Sequence, residues 1–268
     1  MQTVEINSNK LVKEIDDATV AQVLAWRAKD VLPHLALISV GPKKESVFIK
    51  LKKKRAKSLG IIFSVYHLGA NATLAEITEV INFLNQDEDI HGIILQLPLP
   101  KQFTQEQAQK LAQKIHPQKD VDGFNYAKHH HFKPTTAEAI IKLCAEYKIE
   151  LSNATVIGKG LLVGLPLQNL LKEQNKKVQL TDKSDPKMNS KIFKAKVIIS
   201  GTNAINPFLN DSFVQEGAVV VAAGNEIDHN KLTNYVRAMT PQKGGVGPLT
   251  ISLLMRNVVK AVKWKIEK

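Results

Sequence analysis

Short runs of Val, Ile and Leu recur along the chain without alternating with polar residues, a pattern typical of strands covered on both faces. It predicts strands at residues 34–40, 61–67, 92–97, 154–157, 178–181, 197–200 and 218–223. Segments of helical period lie between most of these runs, at residues 73–85, 104–115, 136–148 and 166–174, and a last one covers 249–266. The alternation of strands and helices predicts an α/β fold with a mostly parallel sheet.

The periodic pattern is interrupted at residues 117–136, where Pro, Gly, His and Asp replace it. Since a chain of 268 residues is long for one domain, we expect two domains that meet near this segment. The segment 249–266 has no strand after it, and we expect it to return to the first half of the chain.

The net charge is basic, with 37 Lys and Arg against 25 Asp and Glu. Such a charge suits nucleic acid, an anionic membrane surface or a small polyanionic ligand. The lysines are spread along the chain, however, and the dense cluster at 43–57 has no interleaved aromatic residues for stacking on bases. We therefore expect neither nucleic acid nor a membrane as a partner.

Targeting and metal-binding signals are also missing from the sequence. No apolar run approaches the roughly 20 residues of a membrane span, and the N-terminus lacks the apolar core of a secretory signal. We expect a cytoplasmic protein. The single cysteine, Cys144, completes neither a disulfide nor a thiolate site, and the adjacent histidines at 129–131 cannot all face one ion, so we expect no metal.

A glycine turn follows the predicted strand at 154–157. Gly158, Gly160 and Gly164 lie between this strand and a helix predicted to begin near Pro166. Such a turn lets backbone N–H groups and a helix N-terminus approach a pyrophosphate, although an ordinary tight turn has the same appearance.

The residues after the next predicted strand give conflicting signals about the dinucleotide. Asp182 suits the ribose diol of NAD, whereas Lys159 or Lys183 suits the 2′-phosphate of NADP. The residues alone leave both interpretations open, as well as a surface role without any ligand.

Lys52 is the one charged member of a helical stripe that also contains Phe48, Ile49, Ala56 and Leu59. A lysine among apolar neighbours loses hydration, which lowers its pKa and suits a general acid or base. The alternative is a lysine whose amine extends past the core edge to water.

Three loops carry further candidate chemistry, namely residues 96–100, 119–124 and 243–250. The first two follow predicted strands, where Gln96 and Asp122 are suited to reading the edge of a heterocycle. The third is rich in glycine and is also explained as a helix entry with Pro248 in its first turn.

Taken in order, these residues resemble the bifunctional 5,10-methylenetetrahydrofolate dehydrogenase and 5,10-methenyltetrahydrofolate cyclohydrolase family. The most specific strings are Gln96-Leu-Pro-Leu-Pro100, Pro117-Gln-Lys-Asp-Val-Asp122-Gly-Phe124 and Gly244-Gly-Val-Gly247-Pro248-Leu-Thr250. The resemblance implies a folate-binding α/β catalytic domain formed by residues 1–137 and 249–268. It also implies a Rossmann-like cofactor domain at 138–248, with a cleft between the two.

The resemblance also implies roles for individual residues. Lys52, Gln96 and Asp122 match the catalytic residues, and the substrate-binding positions are Phe48, Leu97, Pro98, Gly245 and Pro248. The cofactor-binding positions are Thr136, Gly158, Lys159, Gly160, Gly164, Lys183, Thr202 and Thr250. The implied cofactor is NADP, with NAD possible, the substrates are one-carbon derivatives of tetrahydrofolate, and the assembly is a homodimer.

The sequence departs from the family pattern at several places. Phe48 stands where the family has tyrosine, Lys159-Gly160 replaces Arg-Ser, Thr135 replaces the cysteine of Pro-Cys-Thr-Pro, and Ala222 replaces an aspartate. Two alternatives therefore stay open: a cyclohydrolase with weak or NAD-dependent dehydrogenase activity, and a folate-binding relative without catalysis.

Overall fold

The computed structural model describes residues 2–42, 46–202 and 204–266. These residues form two compact units, one of residues 2–12 and 136–250 and the other of residues 13–135 and 251–266. Strands pair only in parallel within the sheets described. The predicted two-domain α/β fold with mostly parallel sheets is confirmed.

The elements follow one another with strands and helices in near alternation. The strands are β1 (Val4–Glu5), β2 (His34–Val40), β3 (Ile62–Leu68), β4 (Gly92–Leu95), β5 (Thr155–Ile157), β6 (Gln179–Thr181), β7 (Val197–Ser200), β8 (Val219–Ala222) and β9 (Ala238–Met239). The helices are α1 (Asn9–Arg27), α2 (Val47–Leu59), α3 (Leu74–Gln86), α4 (Gln105–Ala112), α5 (Tyr126–His129), α6 (Thr135–Glu146), α7 (Gly164–Glu173), α8 (Met188–Phe193), α9 (His229–Leu232) and α10 (Val246–Ile266).

The unit of residues 13–135 and 251–266 has a three-stranded sheet in the order β3-β2-β4. Its core joins Leu35 and Leu37 of β2 to Ile49 and Ala56 of α2 and to Val258 of α10. The central strand is largely buried, as the aliphatic pattern predicts, but β3 is partly exposed along its length. The prediction that both faces are covered is wrong for β3, whose side chains are partly exposed on both faces, whereas β4, the other edge strand of this sheet, is buried throughout.

The other unit has a six-stranded sheet in the order β1-β9-β8-β7-β5-β6. Its core includes Ile157, Ile198 and Val220 from three neighbouring strands, and Ile192 from α8. The N-terminal residues depart from the expected division of the chain. Residues 2–12 were expected in the first domain. Because β1 pairs with β9, these residues instead belong to the compact unit of residues 136–250.

Helix α10 carries a buried polar side chain that fixes the loop at residues 119–124. Nδ2 of Asn257 donates to the carbonyl oxygen of Val121 at 2.9 Å, and Nη2 of Arg256 donates to Oδ1 of Asn257 at 2.9 Å. Asn257 is almost fully buried. None of the helices in the described part of the chain is both long and apolar enough to cross a membrane.

We predict that Asn257→Ala lowers the free energy of unfolding by about 1–3 kcal/mol, because it leaves the buried carbonyl of Val121 without this donor. Urea unfolding followed by circular dichroism measures the change. The control is Leu24→Ala, whose side chain is 58% exposed on α1. Equal, small effects of the two substitutions would contradict a structural role for the Asn257 amide.

Candidate active site

Helix α2 places Lys52 on the face that packs against the core. The hydroxyl of Ser46 accepts a hydrogen bond from the backbone N–H of Ile49 and caps the helix. Ile49 and Ala56 are buried, and their spacing from Lys52 puts all three on one face. The predicted stripe is confirmed for these residues. Phe48, however, is 58% exposed and does not belong to the buried face.

Lys52 and Gln96 are joined by a hydrogen bond between their side chains. Gln96 follows β4, and its backbone N–H donates to the carbonyl of Ile38 in β2 at 2.9 Å. Its Nε2 donates to the carbonyl of Leu97 at 2.7 Å, which leaves Oε1 to accept from Nζ of Lys52 at 2.8 Å. The amine of Lys52 therefore donates its hydrogen bond to an uncharged group, the side-chain amide of Gln96.

The surroundings of Lys52 favour its uncharged form. Burial lowers the pKa of Lys52, and the negative charge of Asp122 acts in the opposite direction with a smaller effect. A lysine with a lowered pKa loses its proton nearer to neutral pH than an exposed lysine does. Such an amine is suited to accept a proton and return it.

Asp122 lies in a tight loop that is held by the carboxylate of Asp120. This buried carboxylate accepts hydrogen bonds from the backbone N–H groups of Gly123 at 3.2 Å and Asn125 at 2.6 Å. Burial raises the pKa of Asp120 to about 7, against the effect of these donors. Gly123 has φ 84°, and a Cβ there would lie 2.6 Å from the carbonyl oxygen of Phe132, so the turn requires glycine.

Thr135, the first residue of α6, holds the carboxylate of Asp122. Its hydroxyl donates to Oδ1 of Asp122, and its backbone N–H donates to the carbonyl of Asp122 at 3.2 Å. The side chain of Thr135 is almost fully buried. The sequence marked this residue only as a departure from the family string, so this contact was missed.

We predict that Thr135→Val raises, by about tenfold, the KM for the folate substrate that the sequence resemblance implies, because a hydrogen bond to a charged group typically contributes 1.5–3 kcal/mol. Steady-state kinetics measures the change. Thr135→Ser keeps the hydroxyl and should restore KM to within about twofold of the unchanged protein. Wild-type KM in the valine variant would contradict the role of the hydroxyl.

The remaining predicted substrate residues lie at two places. Leu97 is mostly buried and is joined to Pro98 by a cis peptide, directly after Gln96. Gly245 precedes α10, and Pro248 is the third residue of that helix. The latter two residues belong to the other compact unit. The contacts of these four residues with substrate stay predictions.

The glycine turn after β5 is tight at one point and open at another. Gly158 has φ 100°, and its N–H donates to the carbonyl of Thr181 at 2.8 Å. Gly164 begins α7, two residues before the predicted start, and a Cβ on it would lie 1.8 Å from the carbonyl oxygen of Gly158. A Cβ at Gly160 would meet no atom within 4 Å. The backbone of Gly164 therefore packs directly against that of Gly158, whereas the space beside Gly160 is empty.

We predict that Gly164→Ala lowers the free energy of unfolding by at least about 2 kcal/mol, since an added methyl would displace the backbone of the turn. Gly160→Ala is the matched control, and we expect its stability to stay within about 0.5 kcal/mol of the unchanged protein. Thermal and urea unfolding measure both. A Gly164→Ala protein as stable as the control would contradict the close approach.

A buried glutamate links the loops after β7 and β8. The Glu226 carboxylate accepts hydrogen bonds from the backbone N–H of Thr202 at 3.0 Å and of Gly224 at 2.9 Å. The hydroxyl of Thr202 also lies 3.3 Å from Oε1 of Glu226. Ala222, where the family has an aspartate, is buried at the end of β8. The sequence analysis did not identify Glu226, which follows the lost aspartate by four residues.

The other predicted cofactor residues occupy different settings. Lys159 forms an ion pair with Asp182 at 3.4 Å, and Lys183 is exposed after β6. The hydroxyl of Thr250 donates to the carbonyl of Val246 at 3.0 Å within α10, and Thr136 is the second residue of α6. Their contacts with a dinucleotide stay predictions.

No group of three or more His, Cys, Asp or Glu side chains suited to a metal ion occurs among residues 2–42, 46–202 and 204–266. In the histidine run, the ring of His131 packs against Trp264 with centroids 4.5 Å apart.

Comparison with known proteins identifies the family. The family described as "Tetrahydrofolate dehydrogenase/cyclohydrolase, catalytic domain" matches residues 6–122, and "Tetrahydrofolate dehydrogenase/cyclohydrolase, NAD(P)-binding domain" matches residues 134–266. The "Bifunctional protein FolD" of Staphylococcus aureus (strain JH9) is 33% identical over 280 residues, covering 97% of this chain and 96% of that protein.

Solved structures agree with this result. The crystal structure of bifunctional FolD from Campylobacter jejuni has a TM-score of 0.84 and 29% identity, covering 97% of this chain and 99% of that one. The Trypanosoma brucei FolD, solved with NADP and an inhibitor, shares the fold with a TM-score of 0.87 at 24% identity, with 100% of both chains covered. The chain therefore belongs to the tetrahydrofolate dehydrogenase/cyclohydrolase family, with that family's catalytic and NAD(P)-binding domains.

Proposed function

We propose that this protein is a bifunctional one-carbon folate enzyme. It oxidises 5,10-methylenetetrahydrofolate to 5,10-methenyltetrahydrofolate with a nicotinamide dinucleotide, and it hydrolyses that product to 10-formyltetrahydrofolate. The observation that carries the proposal is the hydrogen bond from Lys52 to Gln96, made by an amine whose pKa is lowered by burial. A general acid or base requires an amine of this kind.

The folate site is proposed around Lys52, Gln96 and Asp122. The carboxylate of Asp122 is suited to accept hydrogen bonds from the N–H groups of a pterin. Thr135 donates to one oxygen of that carboxylate and so limits its rotation. The ring is thereby oriented with its one-carbon bridge toward Lys52, which is the geometric requirement of both reactions.

The residues of the other unit fit a dinucleotide. The turn from Gly158 to Gly164 leads directly into the N-terminus of α7, and the open space at Gly160 leaves room for a phosphate there. When bound, the dinucleotide supplies the hydride acceptor. Oxidation leaves a cationic methenyl group, and a neutral Lys52 does not repel that cation.

Hydrolysis of the methenyl cation needs a proton acceptor and a proton donor. Water attacks the one-carbon atom, and the neutral amine of Lys52 accepts the proton that this water releases. The charged amine then delivers a proton to N5 as the bond from N5 to the carbon breaks, and the hydroxyl proton of the intermediate leaves to solvent. Gln96 holds the amine in place through both transfers.

We predict that Lys52→Met lowers the rate of methenyltetrahydrofolate hydrolysis at least about 100-fold, because it removes the general acid and base. The absorbance of the methenyl group follows the reaction. Lys54→Met is the matched control, since Lys54 is an exposed residue of the same helix. Circular dichroism checks that both variants fold.

Several results of this assay would contradict the proposal. Full hydrolysis in the Lys52→Met variant would remove Lys52 from its role. Binding of methylene- and methenyltetrahydrofolate without turnover of either would favour a folate-binding protein that is not an enzyme. Hydrolysis without oxidation, with either NAD or NADP present, would restrict the activity to the cyclohydrolase.

Further expectations accompany this function. We propose that the unit of residues 13–135 and 251–266 binds folate, since Lys52, Gln96 and Asp122 all belong to it. The unit containing Gly158 then binds the dinucleotide. A homodimer in the cytoplasm, binding neither nucleic acid nor membrane, remains part of the proposal, and light scattering of the purified protein determines its oligomeric state.

A further inference from the structure

The carboxylate of Asp182 is held in one orientation directly after strand β6. Oδ1 of Asp182 accepts hydrogen bonds from the backbone N–H of Ser184 at 3.0 Å and from its hydroxyl at 2.6 Å. Oδ2 lies 3.4 Å from Nζ of Lys159. These contacts lower the pKa of Asp182, with the hydroxyl of Ser184 as the largest cause. Asp182 is therefore an oriented anion.

Asp182 lies beside the glycine turn. Ile157 of β5 is in register with Thr181 of β6, and the N–H of Gly158 donates to the carbonyl of Thr181. Gly158 and Asp182 therefore directly follow the carboxyl ends of two neighbouring parallel strands, β5 and β6. In dinucleotide-binding folds the adenosine ribose lies at this position.

Lys159, the lysine of the glycine turn, forms an ion pair with Asp182. Lys159 lies between Gly158 and Gly160, and its ion pair with Asp182 bridges the two strand ends. Lys183, the residue after Asp182, is exposed and Lys159 is also exposed, so solvent screens the charge of both lysines. A second carboxylate in the loop, Asp185, takes a different cation, since Nζ of Lys191 donates to it at 2.6 Å.

We propose that Asp182 selects a dinucleotide whose adenosine ribose carries free 2′- and 3′-hydroxyls, that is NAD, and disfavours a 2′-phosphate. A carboxylate accepts hydrogen bonds from both hydroxyls of a ribose diol. The same carboxylate repels a phosphate, and it competes with a phosphate for Lys159 through their ion pair. This inference rests on the proposed function, and it runs against the NADP that the family resemblance implies.

Binding and turnover test the selection separately. Isothermal titration calorimetry gives the Kd of NAD and of NADP for the unchanged protein, and steady-state kinetics gives kcat/KM with each at a fixed concentration of methylenetetrahydrofolate. We expect both measurements to favour NAD by about tenfold or more. Tighter binding of NADP than of NAD by the unchanged protein would overturn the proposal.

Substitutions at the ion pair make the test specific. Asp182→Asn removes the charge and should move the NAD to NADP preference toward NADP by at least about tenfold, because Lys159 then becomes available to the 2′-phosphate. Adding Lys159→Gln to that variant should abolish most of the gain in NADP binding. An unchanged preference in Asp182→Asn would overturn the proposal.

Asp185→Asn is the matched control. It removes a carboxylate of the same loop that bonds to Thr181 and Lys191, and we expect it to leave the preference unchanged. If Asp185→Asn shifts the NAD to NADP preference as much as Asp182→Asn does, the preference depends on the total charge of the loop. That result would overturn the specific role of Asp182. The hydrolysis of methenyltetrahydrofolate uses no dinucleotide. If the unchanged protein does not hydrolyse methenyltetrahydrofolate, the proposed function is contradicted, while the measured preference between NAD and NADP in binding still stands.

Discussion

Removal of the Lys52 amine from water is the physical constraint on which the catalytic unit depends. Helix α2 packs Ile49 and Ala56 into the core, and Lys52 shares their face. An amine in this position needs a hydrogen-bond partner, and a carboxylate in direct contact would restore its charge. The amide of Gln96 supplies a neutral acceptor, because its own Nε2 donates to the carbonyl of Leu97. The negative charge of Asp122 then acts on the amine as a weaker, opposing influence.

Buried polar side chains hold the loops that follow the strands in both units. Asp120 accepts from the N–H groups of its own loop, Asn257 donates to the carbonyl of Val121, and Glu226 accepts from the N–H groups of Thr202 and Gly224. A loop without helix or sheet partners must satisfy its backbone in some other way. These contacts do so and leave the neighbouring functional side chains in defined positions.

The departures from the family pattern occur together with other polar contacts. Thr135, in place of cysteine, donates a hydroxyl to Asp122. Glu226 binds the two strand-end loops near Ala222, where the family has an aspartate. Lys159, in place of arginine, pairs with Asp182. The cofactor half of the chain therefore keeps a polar network at the edge of its sheet, with a charge arrangement of its own.

The pattern of the sequence predicted strands β2 to β8, the order of the functional loops, and Ile49, Ala56 and Leu59 as buried residues on the face of Lys52, but it wrongly added Phe48 to that face. The aliphatic runs at 34–40 and 197–200 coincide with β2 and β7, because a continuous apolar run reports burial of that segment directly. Helix α1 and the two-residue strands β1 and β9 were not predicted from the pattern. The pairing of β1 with β9, the hydrogen bond from Lys52 to Gln96 and the ion pair of Lys159 with Asp182 depend on how the elements pack in three dimensions. These contacts join residues that are distant along the chain or lie on different elements, and local periodicity carries no information about how elements pack.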